Sequence, residues 1–180
     1  MRLFPSALVV MAIGLMACEA RPPVHWGQGG TRLDIPRARW TRSGHLIDIM
    51  NDGRVLTDGE HAFSLDVAGR VFDPAGEPIA LLEDDGKLVG KDDAALGRIG
   101  VQNAALPGQE VAWLALSDRG EVVLFDGEGD THPDGGWEGC GPAVRACTLV
   151  THLVALKESQ REQSGPSVSV GIGFGMVVGP

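Results

Sequence analysis

The most regular feature of the chain is a series of short apolar segments, each beginning at a glycine and separated from the next by a polar turn. Four such segments begin at Gly53, Gly69, Gly86 and Gly120. Their separations are about 17 residues or twice that number, and a degenerate copy near Asn103 fills the gap. A short fixed period is typical of a repeated supersecondary unit. The pattern predicts an internal repeat over residues 50–125.

Each repeat is predicted to form a β-hairpin. A second apolar run follows about ten residues after each of the first three glycines, beginning at Ala62, Ile79 and Leu96, and a fourth run begins at Val111, where the degenerate copy near Asn103 would place it. Asp-Gly turns supply the positive φ that tight turns need, and the runs suit strands. A lone hairpin is unstable in water, so neighbours must pair into a continuous sheet. We therefore predict an antiparallel meander, against the alternative of an ordinary β-sandwich with coincidental turn spacing.

One copy carries a sequence motif. The stretch from Asp66 to Gly76 has the form Asp-x-x-Gly-x-Val-x-Asp-x-x-Gly. It resembles the tandem β-repeats of bacterial proteins, and the resemblance extends over residues 50–125. What the resemblance implies is a repeated β architecture and no particular activity.

The C-terminal part of the chain follows two other patterns. Residues 142–163 carry apolar side chains at helical spacing, with Pro142 in the first turn and Gly165-Pro166 as a stop, although the β-branched content leaves a strand as the alternative. In residues 167–178 apolar side chains alternate with glycine or serine, which predicts a terminal strand. The predicted fold is mainly β, with a minor α part: one domain over residues 40–180.

The first 18 residues have the order of a secretory signal. Arg2 is followed by an apolar stretch too short to span a bilayer as a helix. The stretch ends in Leu15-Met16-Ala17-Cys18, which resembles the lipobox of bacterial lipoproteins. The resemblance implies cleavage after residue 17, a thioether-linked diacylglycerol on Cys18 and acylation of the new amino terminus. Cleavage by the ordinary signal peptidase and an uncleaved anchor are the alternatives.

Residues 18–39 are predicted to be a tether between the lipid and the domain. They contain Pro22-Pro23, a run of glycines from Gly27 and several arginines, and they have no apolar periodicity. The domain beyond them is acidic: the full chain has a net charge of −9, and removal of residues 1–17 also removes Arg2. This charge argues against nucleic acid as a partner and against electrostatic binding to anionic lipid.

Two cysteines remain once Cys18 is assigned to lipid. An even number in an oxidising compartment favours a structural disulfide between Cys140 and Cys147, which would stabilise the fold by about 2.5 kcal/mol. Free buried thiols and a redox-active pair are the alternatives. The spacing is not C-x-x-C, so no motif supports the redox alternative.

The candidate chemistry is confined to one acidic loop. Oxygen ligands alternate there on a glycine-rich segment, as a Ca²⁺ site requires, and the candidate ligands are Asp126, Glu128, Asp130 and Asp134. The loop lacks the glycine and the bidentate glutamate of an EF-hand. An enzyme site would draw first on Asp130, His132 and Asp134. No hydrolase, Walker or zinc motif is present in the sequence.

These observations predict a lipoprotein of the bacterial cell envelope that serves as a non-enzymatic structural or binding module. Its predicted partners are membrane lipid, through acylated Cys18, and an envelope protein; no cofactor is predicted. The outer membrane is favoured over the inner one, because Glu19 does not match the Asp retention signal known for some bacteria. The alternative is a periplasmic hydrolase or metal-dependent enzyme with a dispersed site.

Overall fold

The structure, a computed structural model, describes residues 20–163. Twelve strands and one helix follow one another along this part of the chain, with short 3-10 turns at Lys91–Asp93 and Gly141–Ala143. The elements are β1 (Ala38–Arg42), β2 (His45–Ile49), β3 (Arg54–Thr57), β4 (Glu60–Leu65), β5 (Arg70–Phe72), β6 (Pro78–Leu82), β7 (Lys87–Gly90), β8 (Ala95–Ile99), β9 (Asn103–Ala105), β10 (Ala112–Leu116), β11 (Glu121–Phe125), β12 (Thr131–Glu138) and α1 (Val144–Gln163).

The strands form an antiparallel meander in which β12 returns to pair with β1, so the sheet closes into a barrel. The mainly β fold with one C-terminal helix is confirmed. Each predicted repeat is a hairpin, including the degenerate copy at Asn103, which forms β9 and β10. The closure was not predicted, because it depends on the pairing of β1 with β12, which lie outside the regular repeats. The predicted terminal strand, residues 167–178, lies outside the described residues.

The two ends of the barrel differ in their turns. Turns that join one hairpin to the next lie at the end that we call the glycine end, and they comprise residues 50–53, 66–69, 83–86, 100–102 and 117–120. Turns within hairpins lie at the opposite end, which we call the hairpin end, and they comprise residues 43–44, 58–59, 73–77, 91–94, 106–111 and 126–130.

A β-bulge recurs in the hairpins β3–β4, β5–β6, β7–β8, β9–β10 and β11–β12. The extra residue lies on the second strand each time, and a bulge turns such a residue toward a new direction. In the first four hairpins these residues pack against the core at intervals of about 17 residues; they are Ala62, Ile79, Leu96 and Trp113. The repeat therefore specifies a bulged hairpin with one additional inward side chain.

Helix α1 lies inside the barrel. Residues 146–152 are all buried, which covers every face of the helix. The helix contacts β8, β9 and β10, and its Glu158 binds Arg42 of β1, which is nearly opposite β8 in the ring. At the glycine end Thr148 Oγ1 donates a hydrogen bond to the carbonyl of Val101. The helix therefore runs through the lumen from the glycine end to the hairpin end, instead of covering one face of a sheet.

Residues 21–33 form a strap on the outside of the barrel. At the hairpin end, the amides of Arg21 and Val24 donate to the carboxylates of Asp92 and Asp93 at 3.0 Å each. At the glycine end, the amide of Leu33 donates to the carbonyl of Val67, and the Leu33 side chain is 2% exposed in the core.

The middle of the strap is fixed as well. Trp26 packs edge-on against Phe72 with ring centroids 5.0 Å apart, and Arg70 Nε donates to the Trp26 carbonyl at 2.8 Å. At the glycine end, the Thr31 amide and hydroxyl donate to the carbonyls of Leu82 and Glu83. The predicted tether is thus folded onto the barrel over residues 21–33. Composition alone missed this, because the contacts are mostly backbone hydrogen bonds.

Candidate functional site

The predicted lipid attachment residue, Cys18, lies outside the described residues. The described residues begin at residue 20, directly before the strap, whose backbone amides contact Asp92 and Asp93. Over residues 20–163, no helix has both the length and the apolar character needed to cross a membrane.

The acidic loop between β11 and β12 is held together by its own side chain–backbone hydrogen bonds. Asp126 Oδ1 accepts the amides of Glu128 and Asp130 at 2.9 Å each, and Asp126 Oδ2 lies 3.1 Å from His132 Nε2. The hydrogen bond from His132, together with those amides, lowers the pKa of Asp126. Asp126 therefore acts as the cap of a tight turn, a common role for aspartate.

The Asp134 side chain takes no part in that turn and instead contacts Arg42 of the neighbouring strand β1. Its Oδ1 accepts a hydrogen bond from Arg42 Nε at 3.1 Å, and Arg42 Nη1 binds Glu158 Oε2 at 2.6 Å. The side chains of Arg42 and Asp134 are only 15% and 14% exposed. Burial raises the pKa of Asp134, although Arg42 opposes this effect.

The four predicted calcium ligands are therefore not assembled into a site. Asp126 is occupied by backbone amides, and Asp134 is paired with Arg42. Across residues 20–163, no group of three or more His, Cys, Asp or Glu side chains is arranged to hold a metal ion. The enzymatic triad Asp130, His132 and Asp134 is likewise divided, because His132 binds Asp126 and Asp134 binds Arg42.

Arg42 is part of a stack of side chains in the barrel. Its guanidinium lies 4.8 Å from the ring centroid of Trp40, and Trp40 stacks on Trp137 at 5.7 Å. Trp40 Nε1 donates to the Asp134 carbonyl, while Trp137 Nε1 donates to Thr151 Oγ1 of the helix, at 2.8 Å each. Such burial of aromatic rings with satisfied N–H groups stabilises a core. The stack therefore joins β1, β12 and α1.

A buried histidine forms a second polar contact between the helix and the wall. His152 is 0% exposed; its Nδ1 accepts a hydrogen bond from Trp113 Nε1 at 2.9 Å, and its Nε2 donates to the Leu96 carbonyl at 2.8 Å. These partners require the neutral ring protonated at Nε2. Burial lowers the pKa of His152. A Cβ on Gly97 would lie 2.9 Å from this ring, so glycine leaves the space that the imidazole occupies.

The two remaining cysteines form a disulfide. Cys140 and Cys147 are bonded, with a Cα–Cα distance of 6.2 Å, and both are buried. The bond links the segment after β12 to the first turns of α1. It therefore fixes the point at which the helix enters the lumen, at the glycine end.

A surface depression of about 620 Å³ lies on the outer face of the β12–β1–β2 wall. Two of its charged side chains are paired across the strands: Arg39 makes a bidentate contact with Asp48 at 2.6 and 3.0 Å. Cross-strand pairs of this kind stabilise a sheet face. This ion pair therefore lies on the outer wall of the barrel, within the depression.

Comparison with known protein families, curated proteins and solved structures finds no significant match.

Sequence reasoning missed the residues that organise the interior. Arg42 lies in a short segment before the first repeat and has no motif. Trp113 did carry a signal, since it continues the interval of about 17 residues set by Ala62, Ile79 and Leu96. That interval could have identified it as an inward residue, although His152 as its partner depends on the helix lying in the lumen.

Proposed function

We propose that the chain is a lipoprotein of the bacterial cell envelope, anchored by acylated Cys18, and that its barrel is a non-enzymatic structural or binding module. The proposed location is the outer membrane. The Leu15-Met16-Ala17-Cys18 motif supports the anchor, and the fold of the described part supports the module.

One observation supports the proposal of a non-enzymatic module. The lumen, where a barrel of this kind could hold a ligand, is filled by a helix of the chain itself. Small barrels commonly bind ligands in an interior cavity. Here Trp40, Trp137 and the helix residues Leu149 and Val150 are buried together in one core. The outer surface and the turns are then the parts of the barrel that a partner can reach.

The engagement of the polar candidates supports the same proposal. Asp126 caps a turn, Asp134 neutralises Arg42, and His152 bridges two elements of the core. A general acid or base must lie within hydrogen-bond reach of a substrate. Asp126 and His152 use both of their side-chain polar atoms in contacts within the fold, and Asp134 uses its Oδ1 to bind Arg42.

The anchor is tested by metabolic labelling with an alkyne fatty acid, followed by membrane fractionation. We expect the wild-type chain to be labelled and to fractionate with the membrane. Because the acyl chains require the Cys18 thiol, Cys18→Ser should lose the label and be released or remain as a precursor. Each buried methylene contributes about 0.8 kcal/mol, so this loss removes the main membrane affinity.

The matched control is the double variant Cys140→Ser/Cys147→Ser, which also loses thiols but keeps Cys18. It should retain the fatty-acid label. A Cys18→Ser chain that still fractionates as a mature membrane protein would show that the anchor is not at this residue.

A further inference from the structure

The strap determines where the amino-terminal end of the domain leaves the barrel. Three hydrogen bonds hold it to the β7–β8 turn at the hairpin end: Arg21 N to Asp92 Oδ1, Val24 N to Asp93 Oδ1, and Asp92 N to the Arg21 carbonyl. Asp92 and Asp93 both have positive φ, near 54° and 58°, so the turn presents its amide and carboxylates in a strained, specific shape. Residue 21 is thereby fixed at the hairpin end.

The covalent reach from this point to the proposed lipid is short. Cys18 precedes Arg21 by three residues, and a fully extended chain spans at most about 3.6 Å per residue. The acylated residue can therefore be no more than about 11 Å from Arg21 along the chain. A long, freely rotating linker would need residues that the strap has already placed on the barrel.

The helix leaves the barrel at the same end. Its late residue Glu158 binds Arg42, the last residue of β1, which adjoins the β1–β2 turn. Beyond this contact, Gln160 and Arg161 are exposed. Both ends of the described part of the chain thus lie at the hairpin end, while Leu33 and the Cys140–Cys147 disulfide lie at the glycine end.

We infer that the barrel stands on the membrane with its hairpin end toward the bilayer and its glycine end directed away from it. This inference rests on the proposed anchor at Cys18. The lipid bilayer is the partner of the hairpin end.

The charge of the hairpin end shapes how it meets the bilayer. Its turns carry many exposed carboxylates and few cations; the acidic residues include Asp58, Glu77, Asp92, Asp93, Glu110, Glu128 and Asp130. Anionic headgroups would repel this surface within a Debye length of about 8–10 Å. Attraction must then come from the acyl chains, and the surface is expected to face the headgroups without inserting among them.

The orientation is tested by energy transfer to the membrane surface. Cys18 is lipidated and Cys140 is bonded to Cys147, so a single new cysteine is the one free thiol. Val111→Cys places it at the hairpin end and Val101→Cys at the glycine end, at side chains 77% and 59% exposed. The lipoprotein, purified from its membranes, is labelled with a donor and reconstituted into phosphatidylcholine vesicles that carry a headgroup acceptor.

We expect the donor at residue 111 to be quenched at least about twofold more than the donor at residue 101, because a five-residue strand separates the two ends by about 17 Å before turns are added. Equal quenching, or stronger quenching at residue 101, in a chain that floats with the vesicles overturns the orientation and leaves the anchor standing. A chain that does not float with the vesicles overturns both.

A strap variant links the result to the contacts described above. Asp92→Gly/Asp93→Gly removes the two side-chain acceptors and suits the positive φ of both positions. It should reduce the quenching ratio toward one, because residues 21–24 then keep only the backbone hydrogen bond between the Asp92 amide and the Arg21 carbonyl to this turn and can move away from it. Glu128→Gly/Asp130→Gly removes the same charge from the same end without touching the strap, and it should keep the wild-type ratio. An unchanged ratio in the Asp92/Asp93 variant would contradict the proposed role of the strap.

Discussion

The glycines at the two ends of the barrel have similar backbone angles and opposite surroundings. At the glycine end, a Cβ added to a turn glycine would meet a carbonyl oxygen: that of Leu65 at 2.0 Å for Gly53 and that of Trp137 at 2.2 Å for Gly120. At the hairpin end, a Cβ would meet nothing within 4 Å at Gly44, Gly59, Gly76, Gly108 or Gly129.

This difference shows where the repeat is defined. At the glycine end, a residue at or next to the end of each hairpin donates its amide to the carbonyl of the turn residue that begins that hairpin; the pairs are Leu65–Gly53, Leu82–Gly69, Ile99–Gly86, Leu116–Gln102 and Trp137–Gly120. Close approach of two backbones favours glycine, which occupies four of these five turn positions, with Gln102 at the fifth. The hairpin end needs glycine for the turn angle alone, so it can vary in length and charge without disturbing the barrel.

The largest effect should come from a methyl group at the glycine end. Gly53→Ala places a side chain at a positive φ, and its Cβ clashes with backbone atoms, which cannot move aside as a flexible side chain could. We expect a loss of about 4 kcal/mol in the free energy of unfolding. Gly59→Ala, with φ near 86° and open space, should lose about 1 kcal/mol. Chemical denaturation of both variants measures the difference. Similar losses in the free energy of unfolding would contradict the distinction between the two ends.

A smaller effect is expected from the buried charge near the hairpin end. Arg42→Met leaves the Asp134 carboxylate buried without its cation, which should cost about 3 kcal/mol at neutral pH. Arg42→Met/Asp134→Asn removes the unpaired charge and should recover much of that loss. Denaturation of the two variants beside the wild type measures both values.

The loss in Arg42→Met should also depend on pH. Burial already raises the pKa of Asp134, and removal of Arg42 raises it further, so the native variant binds a proton more readily than the unfolded chain does. Its deficit relative to the wild type should shrink as the pH falls toward 4. A deficit that stays constant with pH would mean that Arg42 acts by packing alone.

The smallest effect concerns the contact between the helix and the barrel wall at His152. Burial holds its pKa in the fold below the ordinary value of about 6.5. As the pH falls below that value, His152 binds a proton more readily in the unfolded chain than in the native chain. The free energy of unfolding therefore declines, by at most about 1.4 kcal/mol per pH unit. His152→Gln should flatten the slope of stability between pH 6.5 and 5.

The control for this measurement is His25→Gln, at an exposed residue of the strap. It should keep the wild-type slope. If His152→Gln keeps that slope as well, His152 does not control the acid response of the fold.

The sequence allowed the wall of the barrel to be predicted better than its interior. Glycine spacing and apolar runs identified the hairpins, because a local repeat fixes local geometry through turn angles and side-chain alternation. The disulfide partners followed from counting cysteines. The helix over residues 142–163 was predicted to within two residues of its observed start at Val144.

The closure and the lumen depend on contacts between distant parts of the chain. Nothing local to Trp40 indicates that it will stack on Trp137, and nothing in the acidic loop indicates that Asp134 will turn inward to Arg42. The strap was interpreted as a linker because its composition is polar and rich in glycine. Its order comes from backbone hydrogen bonds, which composition does not record.

The anchor at Cys18 is tested most directly by the intact mass and the N-terminal peptide of the mature protein extracted from its own membranes. The account predicts a chain that begins at Cys18, with a diacylglyceryl thioether on its side chain and an acyl group on its amino terminus. A mature chain without lipid, or one that retains residues 1–17, would contradict it.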